Sequence, residues 1–367
     1  MIKLAQPHFD NNEYNAVKKV LDSGNLVQGK FVNEFEKKLS EYIGINHTIV
    51  VSNGTAALHL ALLALDIKPE EEIIVPAYTF PATANVVELI GAKPVFVDVD
   101  LNSLCIDTNL IESKITKKTR GIIPVHEFGH PADMDKLKKI CDKFNIHLIE
   151  DAACALGSKY KNKKIGLFGD LSCFSFHPRK SITTGEGGAI CTNNSFYADK
   201  LRIMRNHGIS YIDNRIEFVA PGFNYRMTDI QGALGVEQLC KIDKLNNTRI
   251  NLAKYYNKLL KGLKQVTFPQ ENCDLYNTYQ TYHILINEEY NRDDLIIFLK
   301  KSGIECNYGA YDLISQPFYK NKYNNSSNNY KNSNYAFKQG LALPLHSNLN
   351  YRDIDYIVGQ LKQYFTK

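Results

Sequence analysis

From Thr48 onward the chain alternates short apolar runs with longer stretches of helical spacing. "HTIVVSNGTAALHLALLAL" opens on an apolar run, Thr48 to Val51, and passes a Ser-Asn-Gly-Thr turn. It continues as an Ala/Leu-rich segment to Leu65. The run predicts a strand and the segment a buried helix, because Ala and Leu favour helix most. Further strands are predicted at Ile73–Val75, stopped by Pro76, and at Pro94–Val99, Gly121–Val125 and His147–Glu150. Two more fall in "LSCFSFH" and at Gly188–Thr192. A helix opened by the acidic stretch Asp133 to Asp135 lies among them. Strands separated by helices predict an α/β fold, with a mainly parallel sheet covered by helices on both faces.

After Asp199 the pattern turns helical. The stretch from Asp229 to Leu263 reads as one long helix, straight or kinked. The chain then changes character: "YQTYHILI" is strand-like, "RDDLIIFLKKSG" helical and "IECNYGAY" extended. Tyr319–Tyr335 is poor in apolar residues and rich in Asn and Ser, which predicts an exposed loop or a frayed helix. "NYRDIDYIVGQLKQYF" closes the chain as an amphipathic helix with an Asn/Arg/Asp start. These shifts predict a large domain over 1–240 and a smaller α/β domain over 241–367.

Composition narrows the classes. A chain of 367 residues with 44% apolar and 23% charged residues is ordinary for a soluble globular protein with a sizeable core. The net charge of +5 is scattered, so it describes a solvated surface and no nucleic-acid partner. No apolar run approaches ~18 residues, so no membrane span is expected. The start carries no signal-peptide pattern. The eight cysteines lie far apart, with no CxxC and no Cys/His cluster at zinc spacing. They are expected to be mostly free core thiols of a cytoplasmic protein without a metal centre. That leaves side chains or an organic cofactor to carry any chemistry.

Five stretches carry candidate chemistry. In "SNGTAALH", Gly54 and Thr55 stand between a strand and a helix. Backbone N–H groups at a helix start make either a phosphate site or an ordinary cap. Asp151 in "IEDAACALG" sits where a strand ends, suited to a cationic ring nitrogen or to capping a helix. In "FSFHPRKSITTGEGG", Ser175 and His177 share one strand face and Lys180 follows. Ser175 offers a donor to a phosphate. Lys180 is either a carbonyl-capturing amine or a surface lysine in a glycine turn. Phe80 in "YTFPAT" stacks on a planar ligand or packs in the core. Asn224 and Arg226 in "PGFNYRMTD" are site residues or exposed turn residues. Together these features specify a ligand with a phosphate, a ring with a basic nitrogen and an aldehyde, which describes pyridoxal 5′-phosphate (PLP).

"SNGTAALHLALLAL", "VPAYTFPATAN", "IEDAACALGSKY", "FSFHPRKSITTGEGG" and "GFNYRMTDIQGALG" occur in the order and spacing of one family. The sequence resembles the DegT/DnrJ/EryC1/StrS nucleotide-sugar aminotransferases. These share the aspartate-aminotransferase-like, fold-type I architecture of PLP enzymes. The resemblance runs from about Asn12 to the C-terminus and is strongest over 50–240. It implies a seven-stranded, mainly parallel sheet in the large domain. It assigns Lys180 to holding PLP and moving a proton, Asp151 to the pyridine nitrogen and Phe80 to stacking on the ring. Gly54, Thr55 and Ser175 would hold the phosphate, and Asn224 would reach it from a second subunit of a homodimer. His177 matches a frequent histidine of the site. Cys154 stands where the family commonly has Gln or His toward the ring hydroxyl. Its thiol is a weak donor and turns either to the ring or into the core.

Lys180 argues against the branch of sugar dehydratases, which carry His there, and its presence with Asp151 argues against a non-catalytic regulator. "ITTGEGG" resembles the 4-ketosugar enzymes, whereas 3-ketosugar enzymes tend to "GDGG". The implied reaction moves an amino group from L-glutamate to a nucleotide-linked 4-keto-6-deoxyhexose, for a surface polysaccharide. Lys30 and Arg226 are candidates for the substrate's anionic groups, and Gly29 for a close backbone approach.

Overall fold

The structure, a computed structural model, describes residues 1–213, 215–270, 272–323 and 329–366. Its centre is a seven-stranded sheet in the order His47–Val51, Gly188–Thr192, Leu171–Ser175, His147–Asp151, Thr119–Ile122, Glu72–Pro76, Lys93–Val97. The last five in that order are mutually parallel, and Gly188–Thr192 runs antiparallel to both neighbours. Alternation divides each strand between two cores. Ile49, Val51, Ile73 and Val75 pack on one face of the sheet, and Val50 and Ile74 on the other. Both faces are therefore dry, which is why the strands read as continuous apolar runs.

The predicted strands are present with shifted ends. Val99 and Val125 fall outside their strands and form isolated bridges to Ile106 and Asp151. The Ala/Leu segment forms the helix Gly54–Ala64, capped by Asn53, whose side chain accepts from Ala56 N at 2.8 Å. Glycine is required at position 54, because a Cβ there would come within 2.9 Å of Ser175 Cβ.

The long helix expected from Asp229 is two helices, Asp229–Leu239 and Ile242–Leu260. The break at Cys240 and Lys241 is anchored by Lys241 Nζ, which pairs with Asp10 at 2.8 Å and Glu13 at 2.5 Å. The second helix leads to an antiparallel sheet of Val266–Thr267, Tyr282–Ile286 and Gly340–Leu343, with its own core around Tyr256, Tyr282, Leu295 and Leu361. Ile2 bridges to Ile304, so the first residues belong to this C-terminal layer as well. The closing helix Tyr351–Phe365 starts at Asn350, which accepts from Arg352 N and Asp353 N.

One expectation for the C-terminal part needs correction, and another is narrowed. "IECNYGAY" is not a strand along its length. Asn307 makes one bridge to Ala342, and Tyr311–Asp312 pairs with Tyr78–Thr79. Of the two readings of the Asn/Ser-rich stretch, an exposed loop or a frayed helix, the helical one fits, though the stretch is partly buried. The helices Pro317–Tyr323 and Lys331–Gln339 occupy most of it, residues 324–328 lie outside the described residues, and Tyr319, Tyr330 and Ser333 are buried. The start of the second helix is held from outside the stretch: Asp98 accepts from Asn332 N, Ser333 N and Ser333 Oγ at 2.5–3.0 Å. Among the described residues no helix is long and apolar enough to cross a membrane, and all eight cysteines are free.

Candidate active site

Lys180 lies in the loop after the strand Leu171–Ser175. The loop closes on itself through Phe176 N to Gly187 O at 2.8 Å and Thr184 N to Phe176 O at 3.0 Å. Lys180 N donates to His177 O at 2.9 Å, and Arg179 N to His177 Nδ1 at 3.2 Å, so His177 shapes the turn. The C-terminal part grips the turn from behind. The buried Arg249 donates to Leu345 O at 2.8 Å, Gln280 O at 3.2 Å and Lys180 O at 3.4 Å. Gln280 Nε2 reaches Arg179 O at 2.6 Å. Lys180 is consequently a fixed, half-buried lysine, whose Nζ donates to Cys154 Sγ at 3.1 Å. The Cys154 thiol therefore faces Lys180 and not the core.

Asp151 ends the strand His147–Asp151 with its carboxylate buried. It accepts from Thr83 Oγ1 at 2.8 Å and from its own turn at Ala153 N, 3.2 Å away. Burial raises its proton affinity against these donors and the nearby Lys180. Glu127 enters from the turn after Val125. It too is buried, and burial together with the Asp151 charge pushes its carboxyl up to about 8. Desolvation pulls the Lys180 ammonium down, but Cys154, Asp151 and Glu127 outweigh it and its pKa is raised. One amine is thus surrounded by three acidic groups.

Next to this cluster lies an anion cradle. At the start of the helix Gly54–Ala64 the first N–H groups, those of Gly54 and Thr55, have no intrahelical carbonyl. Ser175 lies against Gly54, its Oγ 3.3 Å from where a Cβ would stand. Backbone donors, a hydroxyl and the positive helix end suit a phosphate.

The remaining candidates come from other elements. Phe80 is 62% exposed, with an edge contact to Tyr311 at 6.5 Å. Asn224 is exposed on the loop whose Tyr225 carbonyl accepts from Ser52 N at 2.8 Å. Arg226 is held by Asn206 Oδ1 at 2.6 Å. Gly29 and Lys30 line an open groove of about 650 Å³ with Leu26, Gln28 and Phe31. The glycine at 29 is explained by Asp229, which accepts from Gly29 N at 2.9 Å and would meet a Cβ there at 2.9 Å.

Comparison with known proteins decides the family. The model of the DegT/DnrJ/EryC1/StrS aminotransferase family matches residues 7–362. The chain belongs to this family. A member named GDP-perosamine synthase, from Caulobacter vibrioides, is 38% identical over 366 residues, 99% of this chain and 98% of the relative. Among solved structures, PseC of Helicobacter pylori is an aminotransferase involved in the biosynthesis of pseudoaminic acid. It superposes with a TM-score of 0.95 at 31% identity, covering 100% of this chain and 99% of its own. The PMP form of the putative sugar aminotransferase Spr1654 from Streptococcus pneumoniae gives 0.94 at 30%, covering 99% and 98%. The protein is therefore a sugar aminotransferase of fold type I. Aminotransferases of this DegT/DnrJ/EryC1/StrS family depend on PLP and act on nucleotide-linked sugars with glutamate as amino donor.

Several members of this site escape a sequence reading. Glu127 had one signal, an acidic residue just past a predicted strand in "GIIPVHEFGHP". Thr83, Arg249 and Gln280 had none, since each reaches the cluster from a distant element.

Proposed function

We propose that this protein binds PLP at Lys180 and transfers an amino group from L-glutamate to a nucleotide-linked 4-keto-6-deoxyhexose. The observation that carries this reading is the half-buried Lys180 ammonium enclosed by Cys154, Asp151 and Glu127. The "ITTGEGG" loop supports a 4-keto sugar, and the GDP-perosamine synthase relatives make a GDP-linked substrate the first to test.

The residues fit the cofactor. The Gly54 and Thr55 N–H groups with Ser175 would hold its phosphate, and Asp151, already buried and oriented by Thr83, would face the ring nitrogen. Cys154 would stand near the ring hydroxyl, and Phe80 would lose its exposure on a planar ring. When bound, PLP supplies a carbonyl that captures amines and a ring that takes up electrons. Lys180 Nζ is the base that takes the proton from the donor's α-carbon. An amine acts as a base only in its neutral form. Desolvation favours that form, against the three acidic groups that support the ammonium, and a ring cation pairing with Asp151 would weaken one of the three.

A homodimer completes the proposal. Asn224 is exposed, and the neighbouring hairpin Ile209–Ile212 with Arg215–Phe218 shows Tyr211, Ile216 and Phe218 to solvent. An apolar ribbon of this kind suits cover by a second copy.

The test uses wild type and Lys180→Ala. Wild type with PLP gains visible absorbance and, with glutamate and a GDP-4-keto sugar, forms 2-oxoglutarate and an amino sugar detectable by mass. Lys180→Ala does neither. Absorbance that survives the substitution unchanged overturns the lysine assignment. dTDP- and UDP-linked sugars in the same assay settle the nucleotide.

A further inference from the structure

Glu127 helps to enclose Lys180, but the scheme above gives it neither a cofactor contact nor a proton. It is 4% exposed, and its Oε2 has no hydrogen-bond partner among the described residues. Its polar neighbour is the Thr79 hydroxyl, 3.4 Å from Thr83 Oγ1, which in turn donates to Asp151. The turn holds it firmly. His126 N donates to Asp151 O at 3.1 Å, and Ser158 Oγ to Gly129 O at 2.7 Å. Phe128, between them, has a positive φ of 56° and stacks on His283 at 4.6 Å. A non-glycine residue persists there only when its surroundings fix it.

The titratable groups around Glu127 are Asp151, Cys154, Lys180, Tyr78 and Cys105. Lys180 is the cation of that set. Burial pushes the thiols of Cys154 and Cys105 and the phenol of Tyr78 toward their neutral forms. A cationic ring would engage Asp151. The carboxyl left to balance a charge on the Lys180 nitrogen is then Glu127, and it is the one with an idle oxygen.

We propose that Glu127 is a positioning residue whose carboxyl sets the proton affinity of the Lys180 nitrogen; the inference rests on Lys180 being the functional amine. Its raised proton affinity places its change of charge near neutral pH, so the coupling works in the range where the amine must exchange a proton.

The test needs no cofactor. Cofactor-free wild type, Glu127→Gln and Glu127→Leu are treated briefly with acetic anhydride at about pH 10, where the Glu127 carboxyl is ionised, and each lysine is read by peptide mass. Losing a nearby carboxylate lowers an amine's pKa by about one unit, so Lys180 should react about tenfold faster in both variants. The other lysines serve as internal controls. Equal Lys180 rates in the three proteins overturn the proposal. A marked fall in unfolding temperature with unchanged Lys180 reactivity would make Glu127 a structural carboxyl. If added PLP gives wild type no visible absorbance, the reading of Lys180 as a PLP lysine fails separately, while the rate ratio still reports on Glu127.

Discussion

Two buried glutamates flank the site, and their surroundings give them opposite chemistry. Glu150 is fully buried and takes donors from Gly166 N, Phe168 N, Gly169 N and Ser172 Oγ at 2.8–3.0 Å. His126 Nε2 stands 3.2 Å from it. Burial alone would raise its pKa, but His126 and the loop N–H groups win, and it is lowered. Glu127 is almost as deep, lacks such donors and is raised to about 8. Strand alternation separates the pair. Glu150 and His126 face one side, where a loop is tied down, and Asp151 and Glu127 face Lys180. Burial alone therefore does not set the charge of an acid here; the donors around it do.

That contrast breaks first at Glu150. Glu150→Ala strands the loop N–H groups of Gly166, Phe168 and Gly169. Removing one partner of a buried charged network costs about 3–5 kcal/mol. Denaturant unfolding should show that loss, and a cost below about 1 kcal/mol would mean the donors are not what holds the loop. Asp151→Asn tests the other side. It should leave stability within about 0.5 kcal/mol of wild type or improve it, because a raised carboxyl is already disfavoured in its charged form. Transamination should fall on the order of 10²–10³-fold. A stability loss like that of Glu150→Ala would erase the distinction between the two faces. Arg249→Met is smaller. It frees the carbonyls of Leu345, Gln280 and Lys180, at about 1–3 kcal/mol, and loosens the turn that aims Lys180. Activity falling with an unchanged unfolding midpoint would show that the clamp positions the lysine without supporting the fold.

The sequence made one of these faces legible. Asp151, Lys180, Gly54 and Ser175 lie at strand ends and glycine turns, where local pattern announces an exposed functional backbone. The seven-strand core was equally readable, because dry strands are continuous apolar runs. Glu150 and Glu127 looked alike, each an acid near a strand end, because what separates them is the set of donors brought by residues 166–172 and 79–83. The break at Cys240 was hidden for a similar reason. Its anchor, Lys241 to Asp10 and Glu13, ties it to the first helix of the chain, Asn11–Ser23. The Asn/Ser-rich stretch was ambiguous between loop and helix because the acceptor that holds its second helix, Asp98, comes from a distant part of the chain.

The most diagnostic effect is a slope with pH, because its sign separates the two glutamates. The Glu127 carboxyl is raised from 4.5 to about 8 in the folded chain. Between those values the folded protein keeps a proton that the unfolded chain releases. Its contribution to stability is present below 4.5, is lost as pH rises toward about 8, and changes no further above that. Glu150, with its pKa lowered, runs the other way: its contribution is present above the usual glutamate value and is lost as pH falls through its own. Glu127→Gln removes only the first slope. In the cofactor-free protein, the stability of Glu127→Gln relative to wild type should therefore grow steadily from about pH 5 to about pH 8 and then level off. Denaturant midpoints at half-unit pH steps read this directly. Parallel curves over that range would show that Glu127 ionises as freely in the fold as in water. The idle oxygen would then be no sign of a raised proton affinity, and the contrast with Glu150 would vanish.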